Sequence, residues 1–315
     1  MLLSLTRTRF PATSHILMSL QPFPLVDSAA GRKLLNISLR VDTFSTQDAK
    51  EQSILRRVEF ADKPGIIYVA THKNAETIAE DLNRTGVPAV FYHGGLRPKE
   101  RDEVQNRFLS GQVPVIVATS AFGMGVDDKP DIRFVYHADV ADSLDAYYQE
   151  IAHAGRDGEP AEAVLFYRPQ DISAQQFKTG PASIDSAALE AVYNVLRKKR
   201  QPISRRDLAD ASGIPPRKLA GLLQKLEDTG AATLLDSGEV EAASKRPLAE
   251  IVDEASHRQQ AQKEIRKLRL KKMQQYAEWR SCRREFLLRY FGDDYHGPCG
   301  NCDRCEANGV LRRAA

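Results

Sequence analysis

Short, continuous apolar runs alternate with longer segments along the first half of the chain. The runs are rich in β-branched residues, which is typical of strands buried on both faces. The longer segments place apolar residues every three or four positions, as amphipathic helices do. Strands that alternate with helices predict a parallel sheet covered by helices, so we expect an α/β domain over residues 36–175. The predicted strands are NISLRV, GIIYVAT, PAVFYH, VPVIVAT, IRFVYHAD and AEAVLFY, and the predicted helices are KNAETIAEDLNRTG, KERDEVQNRFLSG and SLDAYYQEIAHAG.

The pattern changes to helix, helix, turn, helix and hairpin over residues 183–245. Ser204 is placed to cap a short helix, and Gly213 to make the turn that follows it. The Pro-Pro pair at 215–216 is placed to open the next helix, because proline fits the first helical turn. A two-stranded hairpin with its turn at Gly238 then completes the pattern, which predicts a winged-helix-like module.

A long, charged helical stretch leads into a cysteine cluster, and we expect residues 246–306 to form a long basic helix and a four-cysteine module. The 315-residue chain carries a formal net charge of only +3, yet residues 263–284 contain nine basic and two acidic residues. Such a run is either a solvated helix face or a surface that contacts phosphates. Residues 1–35 are expected to form a poorly ordered N-terminal extension, and residues 307–315 a tail. No apolar run is long enough to span a membrane.

All four cysteines of the chain fall within this last module, at Cys282, Cys299, Cys302 and Cys305. Thiolates bind Zn²⁺ tetrahedrally, and a tight C-x-x-C turn presents two sulfurs to one ion. An iron–sulfur cluster also takes four thiolates, and unrelated buried thiols are the third alternative. The spacing favours zinc. A zinc ion with four protein ligands has no open position, so the predicted role is structural.

Polar and glycine-rich loops follow the predicted strands, and in open parallel sheets such loops carry the chemistry. The segment ATSAFGMGVDDKPD combines the hydroxyl of Thr119 with Gly125, which allows close backbone approach to a ligand. In QEIAHAGRDG, Arg156 stands between two glycines shortly after Gln149. The planar fork of an arginine matches phosphate oxygens, which indicates a phosphate as its target.

Two sets of motifs resemble the RecQ family of DNA helicases. The first resembles the second RecA-like lobe, in the family's motif order, and the second resembles the RecQ zinc-binding subdomain, including its cysteine spacing. Together they cover about residues 36–172 and 275–306. The segments are GIIYVATHKNAETIAEDL, YHGGL, VPVIVATSAFGMGVDDKPDIRFVYH and YYQEIAHAGRDGEPAEAVLFY for the lobe, and CRREFLLRYFGDDYHGPCGNCDRC for the subdomain.

The resemblance implies a role for each matched residue. Arg156 corresponds to the arginine finger that reaches the γ-phosphate of ATP bound by the first lobe, and Gln149 to a residue that arranges the same motif. Asp127 corresponds to a position near the ATP ribose, beside Gly125. The positions implied to contact DNA are Thr71, Gly95 and Thr119. Without the resemblance, Gln149 would be read as a helix cap and Arg156 as part of a surface ion pair.

The sequence also departs from the family pattern. His153 stands where the sixth helicase motif usually has an arginine, and Asp127 is followed by a second acid, Asp128. The winged-helix-like segment precedes the zinc cysteines, whereas in many RecQ proteins it follows them. No G-x-x-x-x-G-K-[ST] phosphate loop or strand-borne acidic Mg²⁺ motif is found in the sequence. ATP and Mg²⁺ are therefore expected to bind only if a first lobe is supplied, for example by a separate chain.

The second helix of the predicted helix-turn-helix carries Arg217, Lys218 and Lys225, which could contact a DNA groove or backbone. The alternative is a scaffold for protein contacts. Two hypotheses follow for the chain. The first is the C-terminal portion of an ATP-dependent 3′–5′ DNA helicase of repair and recombination, cytoplasmic and nucleoid-associated, without ATPase activity alone. The second is a non-catalytic module with a DNA-binding or regulatory role. Both predict single-stranded or forked DNA as the partner.

Overall fold

The computed structural model describes residues 34–120, 122, 131–178, 185–199 and 201–310, apart from the side chains of 174 and 176–178. Its contacts divide the chain into two compact units. The first unit is Met1–Lys178 with Arg266–Ala315, and the second is Thr179–Ile265. The predictions for residues 1–33, Gly125, Asp127 and residues 311–315 lie outside the described residues.

The first unit is built on a six-stranded sheet in the order β1-β6-β5-β2-β4-β3, in which every strand pair is parallel. This confirms the predicted α/β class. The strands are β1 (Ile37–Thr43), β2 (Gly65–Tyr68), β3 (Ala89–Tyr92), β4 (Val115–Ala118), β5 (Phe134–His137) and β6 (Ala161–Tyr167). Every residue of β2, β4 and β5 is buried, as their unbroken apolar sequences predict.

Helices cover both faces of the sheet. One face packs its apolar side chains against the first two helices, and the other packs against the third and fourth helices and the cysteine module. The helices are α1 (Gln47–Phe60), α2 (His72–Arg84), α3 (Pro98–Leu109), α4 (Leu144–Ile151) and α5 (Pro169–Lys178). The sequence analysis missed α1 and α5. In α1 the buried positions are Lys50, Ile54 and Val58, and the lysine interrupts the apolar period.

The cysteine module belongs to the first unit and packs on its edge strand. It comprises the C-terminal part of α9 (Leu248–Ala277), then α10 (Arg283–Tyr290) and α11 (Asp303–Ala307). Leu39 of β1 forms a parallel bridge with Cys302, which extends the sheet by one short contact. The predicted long helix is α9, which ends five residues before Cys282.

Two arginines of the basic run are not on its solvated face. Arg283 and Arg284 are 0 % and 1 % exposed. The Arg283 guanidinium forms a two-bond pair with Asp303, with both nitrogen–oxygen distances at 3.0 Å. The interpretation of residues 263–284 as a continuous phosphate-contacting or solvated face was therefore wrong for these two residues. A buried guanidinium needs fixed acceptors, and here the module and β1 supply them.

The second unit has its own apolar core, formed by helices and a two-stranded hairpin. Its elements are α6 (Ser186–Lys198), α7 (Arg205–Ser212), α8 (Pro216–Asp228), β7 (Ala232–Leu234), β8 (Val240–Ala242) and the N-terminal part of α9. The predicted turn residues are confirmed. The Ser204 side chain caps α7, Gly213 ends it with φ +67°, and Gly238 makes the hairpin turn with φ +83°. Within the described part of the chain, no helix is long and apolar enough to cross a bilayer.

Candidate functional site

Three of the predicted DNA-contacting residues lie at one edge of the sheet. Thr71, Gly95 and Thr119 follow β2, β3 and β4, which are neighbours, and the carboxyl ends of parallel strands share an edge. Thr71 is the N-cap of α2, where its Oγ1 accepts a hydrogen bond of 3.1 Å from the Asn74 backbone. An exposed helix N-terminus favours negative charge, so the position suits a phosphate.

A buried ionic network supports the Thr71 turn. The Asp139 carboxylate accepts from the Ala70 backbone at 2.8 Å and from the Asn74 side chain at 3.0 Å. Lys50 is 1 % exposed, and its Nζ lies 3.6 Å from Asp139 and 2.7 Å from Asp171. The sequence analysis missed this network, whose only signal is a lysine at a helix position where an apolar residue is expected.

A stack of rings surrounds Gly95. The rings of His72 and His93 lie 4.3 Å apart at 12°, and the ring of Phe91 stacks with that of His93 at 5.5 Å. The Gly95 backbone donates to Nδ1 of His93, and Nε2 of the same ring lies 3.1 Å from Glu76. Because a backbone N–H can only donate, these contacts fit a neutral imidazole with its proton on Nε2.

A side chain at Gly95 would be tight against this ring stack. A Cβ at Gly95 would stand 3.0 Å from Nδ1 of His72 and 3.1 Å from Nδ1 of His93, so the rings would have to shift by a few tenths of an ångström. The two histidines were not singled out in the sequence, because a lone histidine gives no periodic signal.

Arg156 lies on the exposed loop between α4 and β6. Its Nε donates to the carbonyl of Ala152 at 3.1 Å, and its guanidinium donates to Nδ1 of His153 at 3.0 Å. An arginine is always a donor, so His153 accepts through a neutral nitrogen. His153, which stands where the family usually has an arginine, is 4 % exposed and contacts Arg156 directly. Gln149 lies on the exposed side of α4.

A second arginine fixes the far end of the same loop. Arg133 donates to the carbonyls of Asp131 and Pro160 at 2.8 and 3.1 Å, and it forms an ion pair with Asp157. The Arg133 guanidinium holds the pKa of the Asp157 carboxyl below its ordinary value. Gly155 and Gly158 both have positive φ, at +58° and +88°, so the backbone around Arg156 has a shape that glycine favours.

The four cysteine sulfurs come together as the spacing predicts. Their ligand atoms all lie within 4.8 Å of one another, and Cys299 and Cys305 are 3.9 Å apart. The backbone of Asn301 donates to the Cys299 sulfur. Hydrogen bonds from Cys282 and then Cys299 hold the pKa of Cys302 below its ordinary value, which favours a thiolate there.

This donor set fits a structural zinc ion, because four thiolates at this separation complete a tetrahedron. Zinc would be held by all four cysteines and would act as a cross-link without an open coordination position.

The predicted DNA-contacting residues of the second unit lie on α8. Arg217 and Lys218 are exposed and Lys225 is half-buried. Lys218 forms an ion pair with Asp185 at 2.5 Å, and this lysine holds the pKa of the carboxyl below its ordinary value. Its charge is thus partly compensated, which leaves Arg217 as the stronger candidate for phosphate contact.

Two family models match the chain. One described as the helicase conserved C-terminal domain matches residues 50–158, and one described as RecQ zinc-binding matches residues 244–306. The first match includes Thr71, Gly95, Thr119 and Arg156, and the second includes all four cysteines.

The chain is also similar to curated helicases. The ATP-dependent DNA helicase RecQ of Bacillus subtilis (strain 168) is 33% identical over 254 residues, which cover 79% of this chain and 30% of the relative. The probable ATP-dependent DNA helicase RecS of the same organism is 32% identical over 277 residues, covering 86% of this chain and 51% of the relative. The chain thus spans about a third to a half of the length of these relatives.

Among solved structures, the E. coli DEAD-box protein SrmB bound to the regulator of ribonuclease activity A is similar to this chain. It is 22% identical with a TM-score of 0.40, covering 46% of this chain and 84% of the other. At that score we base no argument on the likeness.

Proposed function

We propose that the first unit is the second motor lobe of a DNA-unwinding ATPase, in a chain that corresponds to the C-terminal portion of a RecQ-family helicase. In this proposal Arg156 stabilises the γ-phosphate of an ATP that a first lobe binds with Mg²⁺, and Gln149 helps to arrange the loop. Thr71, Gly95 and Thr119 hold the phosphates of a single strand, along which the complete helicase moves 3′ to 5′ in repair or recombination.

The observation that carries the proposal is the placement of Arg156. Its loop is anchored at its far end by Arg133, and its side chain is exposed. Phosphoryl transfer is catalysed mostly by positioning and charge stabilisation, and an arginine supplied from outside the phosphate-binding lobe can contribute several powers of ten. A fixed loop that presents an exposed arginine suits that role.

A chimera tests the role of Arg156. This chain would replace the matching segment of the B. subtilis RecQ relative, and DNA-stimulated ATP hydrolysis would be measured. We expect Arg156→Ala to lower kcat about 10³-fold. Arg84→Ala is the matched control, because that arginine is 73% exposed and, among the described residues, pairs with Asp81 of its own helix. Equal activities of Arg156→Ala and the unmodified chimera would contradict the proposal.

We further propose that the chain alone has no appreciable ATPase activity, because its sequence contains no phosphate loop of the kind that such enzymes need. The purified chain would be assayed with forked DNA. Robust DNA-stimulated hydrolysis would refute this proposal.

The second candidate function is a DNA-binding or regulatory module that does not unwind. The contact between His153 and Arg156 favours it, because an imidazole carries less positive charge toward a phosphate than the usual arginine. His153→Arg in the chimera separates the two functions. A rise in ATP hydrolysis would indicate a motor weakened by His153, and an inactive chimera with intact DNA binding would favour the module.

A further inference from the structure

The four residues that lead into β1, residues 34–37, which we call the entry segment, lie between the cysteine module and the Arg156 loop. Both neighbours belong to the first unit. The segment contacts the module through backbone carbonyls and the loop through a single side chain.

The module holds three of the four carbonyls of the entry segment. Arg284 donates to the carbonyl of Leu34 and, at 2.8 Å, to that of Ile37. Asn301, which lies between two of the cysteines, donates from its side chain to Leu35 at 3.0 Å. Since Arg284 is fully buried, its two bonds are shielded from water and fix the backbone of the segment.

The remaining residue of the segment, Asn36, faces the loop. The side-chain amide of Asn36 donates to the carbonyls of Gly155 and Glu159, both at 2.7 Å. These two carbonyls lie on either side of Arg156 in the chain. Gly155 is needed for the approach, because a Cβ there would stand 2.4 Å from the Asn36 amide nitrogen. The Asn36 backbone carbonyl also accepts from Ala161 at 3.1 Å.

We propose that Asn36 is a positioning residue that couples the folded, metal-bound cysteine module to the geometry of Arg156. The inference rests on the proposed function of Arg156. Loss of metal frees the turn that carries Asn301 and weakens the hold on the entry segment. Asn36 then no longer clamps both carbonyls, and the loop gains alternative conformations. The cysteine module thereby controls the orientation of the Arg156 side chain, separately from any contact that the module itself makes with DNA.

Amide hydrogen exchange on the full zinc-loaded chain tests the coupling without any catalytic assay. We expect Asn36→Ala to speed exchange at residues 153–159 about tenfold, as for the loss of two hydrogen bonds. Asn36→Asp keeps the shape but removes the donors, so we expect at least the same effect. Exchange in β4 should not change in either variant. Arg40→Ala is the matched control, because it breaks an exposed link between β1 and the module, the Arg40–Glu306 pair, that does not reach the loop.

Metal removal by a chelator completes the test. We expect faster exchange at residues 299–306 and also at 153–159 in the unmodified chain, but no further increase at 153–159 in Asn36→Ala. Fast exchange confined to 299–306 would overturn the coupling, as would unchanged exchange at 153–159 in Asn36→Ala. Neither result would touch the chimera test of Arg156, so the two proposals fail separately.

A separate set of observations concerns Trp279, which follows the end of α9. The neighbouring Glu278 accepts a hydrogen bond of 2.8 Å from the hydroxyl of Tyr167, the last residue of β6. Trp279 therefore lies near the same sheet edge as Thr71. The ends of β6 and β2 are two strands apart, or about 10 Å at the usual strand spacing. The indole is 39% exposed and packs at 5.1 Å against the ring of Phe286.

Three exposed cations lie within eight residues of Trp279 in the chain, namely Lys271, Lys272 and Arg280, and the adjacent Glu278 is the one acidic residue between Lys271 and Arg280. None of the three cations forms an ion pair with another residue that the structure describes. A supported aromatic ring with exposed cations nearby in the chain complements a strand that offers bases and phosphates. An apolar protein partner would not require these charges.

The geometry points to Trp279 as a stacking platform for a base of single-stranded DNA that leaves the Thr71 edge. This inference also rests on DNA binding by the chain.

Trp279 is the only tryptophan of the sequence, so its fluorescence reports on the site alone. We expect an oligo-dT to quench this fluorescence, whereas an abasic oligonucleotide of equal charge should bind with little quenching. Trp279→Ala should weaken binding of oligo-dT about tenfold, and Trp279→Phe should restore most of it.

Unchanged fluorescence while anisotropy reports binding of oligo-dT would overturn the stacking platform and leave the proposed function intact. Equal quenching by the abasic strand would also overturn it, because phosphate contact alone would then account for the signal. Absence of binding to any DNA would refute both the platform and the DNA-binding function. A protein partner that quenches Trp279 when oligo-dT does not would assign the surface to that partner instead.

Discussion

Charged side chains inside this protein are used to fix backbone turns. Arg284 and Lys50 are at most 1 % exposed. Arg284 donates to two backbone carbonyls, and Lys50 pairs with two carboxylates. Burying a charge is costly unless it is paired, so such residues hold their partners in one arrangement. In the first unit those partners include the entry segment, for Arg284, and Asp139 beside the Thr71 turn, for Lys50.

Lys50→Met tests this view at a single residue. The variant keeps most of the apolar stem and removes the charge, which leaves Asp171 and Asp139 without their buried cation. We expect a loss of about 3 kcal/mol in the free energy of unfolding, measured by urea denaturation. This value is near the lower end of the usual cost of breaking a buried ion pair, because Asp171 also pairs with Arg168 at 2.9 Å.

Lys99→Met is the control for Lys50, because Lys99 is exposed on α3. We expect it to change the free energy of unfolding by less than about 0.5 kcal/mol. Equal effects of the two substitutions would mean that the buried pair contributes no net stability.

At the scale of elements, helix caps and loops form the sheet edge that carries Thr71, Gly95 and Thr119. The turn residues of α7 and the hairpin could be predicted because their chemistry is local. The predicted strands end one residue beyond β3 and β4 and three residues beyond β2. The support beneath them was not predicted, because Lys50, Asp139 and Asn36 act across large sequence separations that no periodic pattern reveals.

Thr71 has a structural and a proposed functional role, and two caps separate them. Thr71→Ala and Thr46→Ala each remove an N-cap, since Thr46 accepts from Ala49 at 3.3 Å. We expect each to cost about 1 kcal/mol of stability. Only Thr71→Ala should weaken DNA binding, measured by anisotropy, and Thr71→Ser should restore it.

The salt dependence of DNA binding should not change in Thr71→Ala, because a neutral hydroxyl releases no counterion. A loss of DNA affinity of the same size in Thr46→Ala would show that the effect comes from stability alone.

The basic residues of α8, unlike Thr71, should change the salt dependence of DNA binding. We expect Arg217→Ala to lower DNA affinity and to reduce the slope of log affinity against log salt by about 1, because one phosphate contact is lost. Lys218→Ala should change the slope less, since Asp185 already compensates that lysine. Equal slopes for Arg217→Ala and the unmodified chain would exclude Arg217 from the DNA contact.

At the scale of the whole molecule, the α/β class, the strand sequence and the cysteine cluster follow from sequence patterns that repeat or coincide. The position of the cysteine module could not be predicted. It depends on the bridge between Leu39 and Cys302 and on two arginines that the sequence presents as part of a basic run. A charge pattern does not distinguish a solvated cation from one that is buried against carbonyls.

Because the metal cross-links only the first unit, its removal should affect the two units differently. Each unit has its own apolar core, and all four cysteines lie in the first. We expect a chelator, or Cys299→Ser, to destabilise the first unit by several kcal/mol, since binding of structural zinc is coupled to folding.

The urea transition of Trp279 fluorescence, which reports only the first unit, should move to lower urea. Amide exchange at Leu222 and Leu226 in α8 should stay as it is, and added zinc should restore the chelated chain but not Cys299→Ser. If α8 lost protection together with the sheet, the two units would unfold as one, and the metal would stabilise the whole chain.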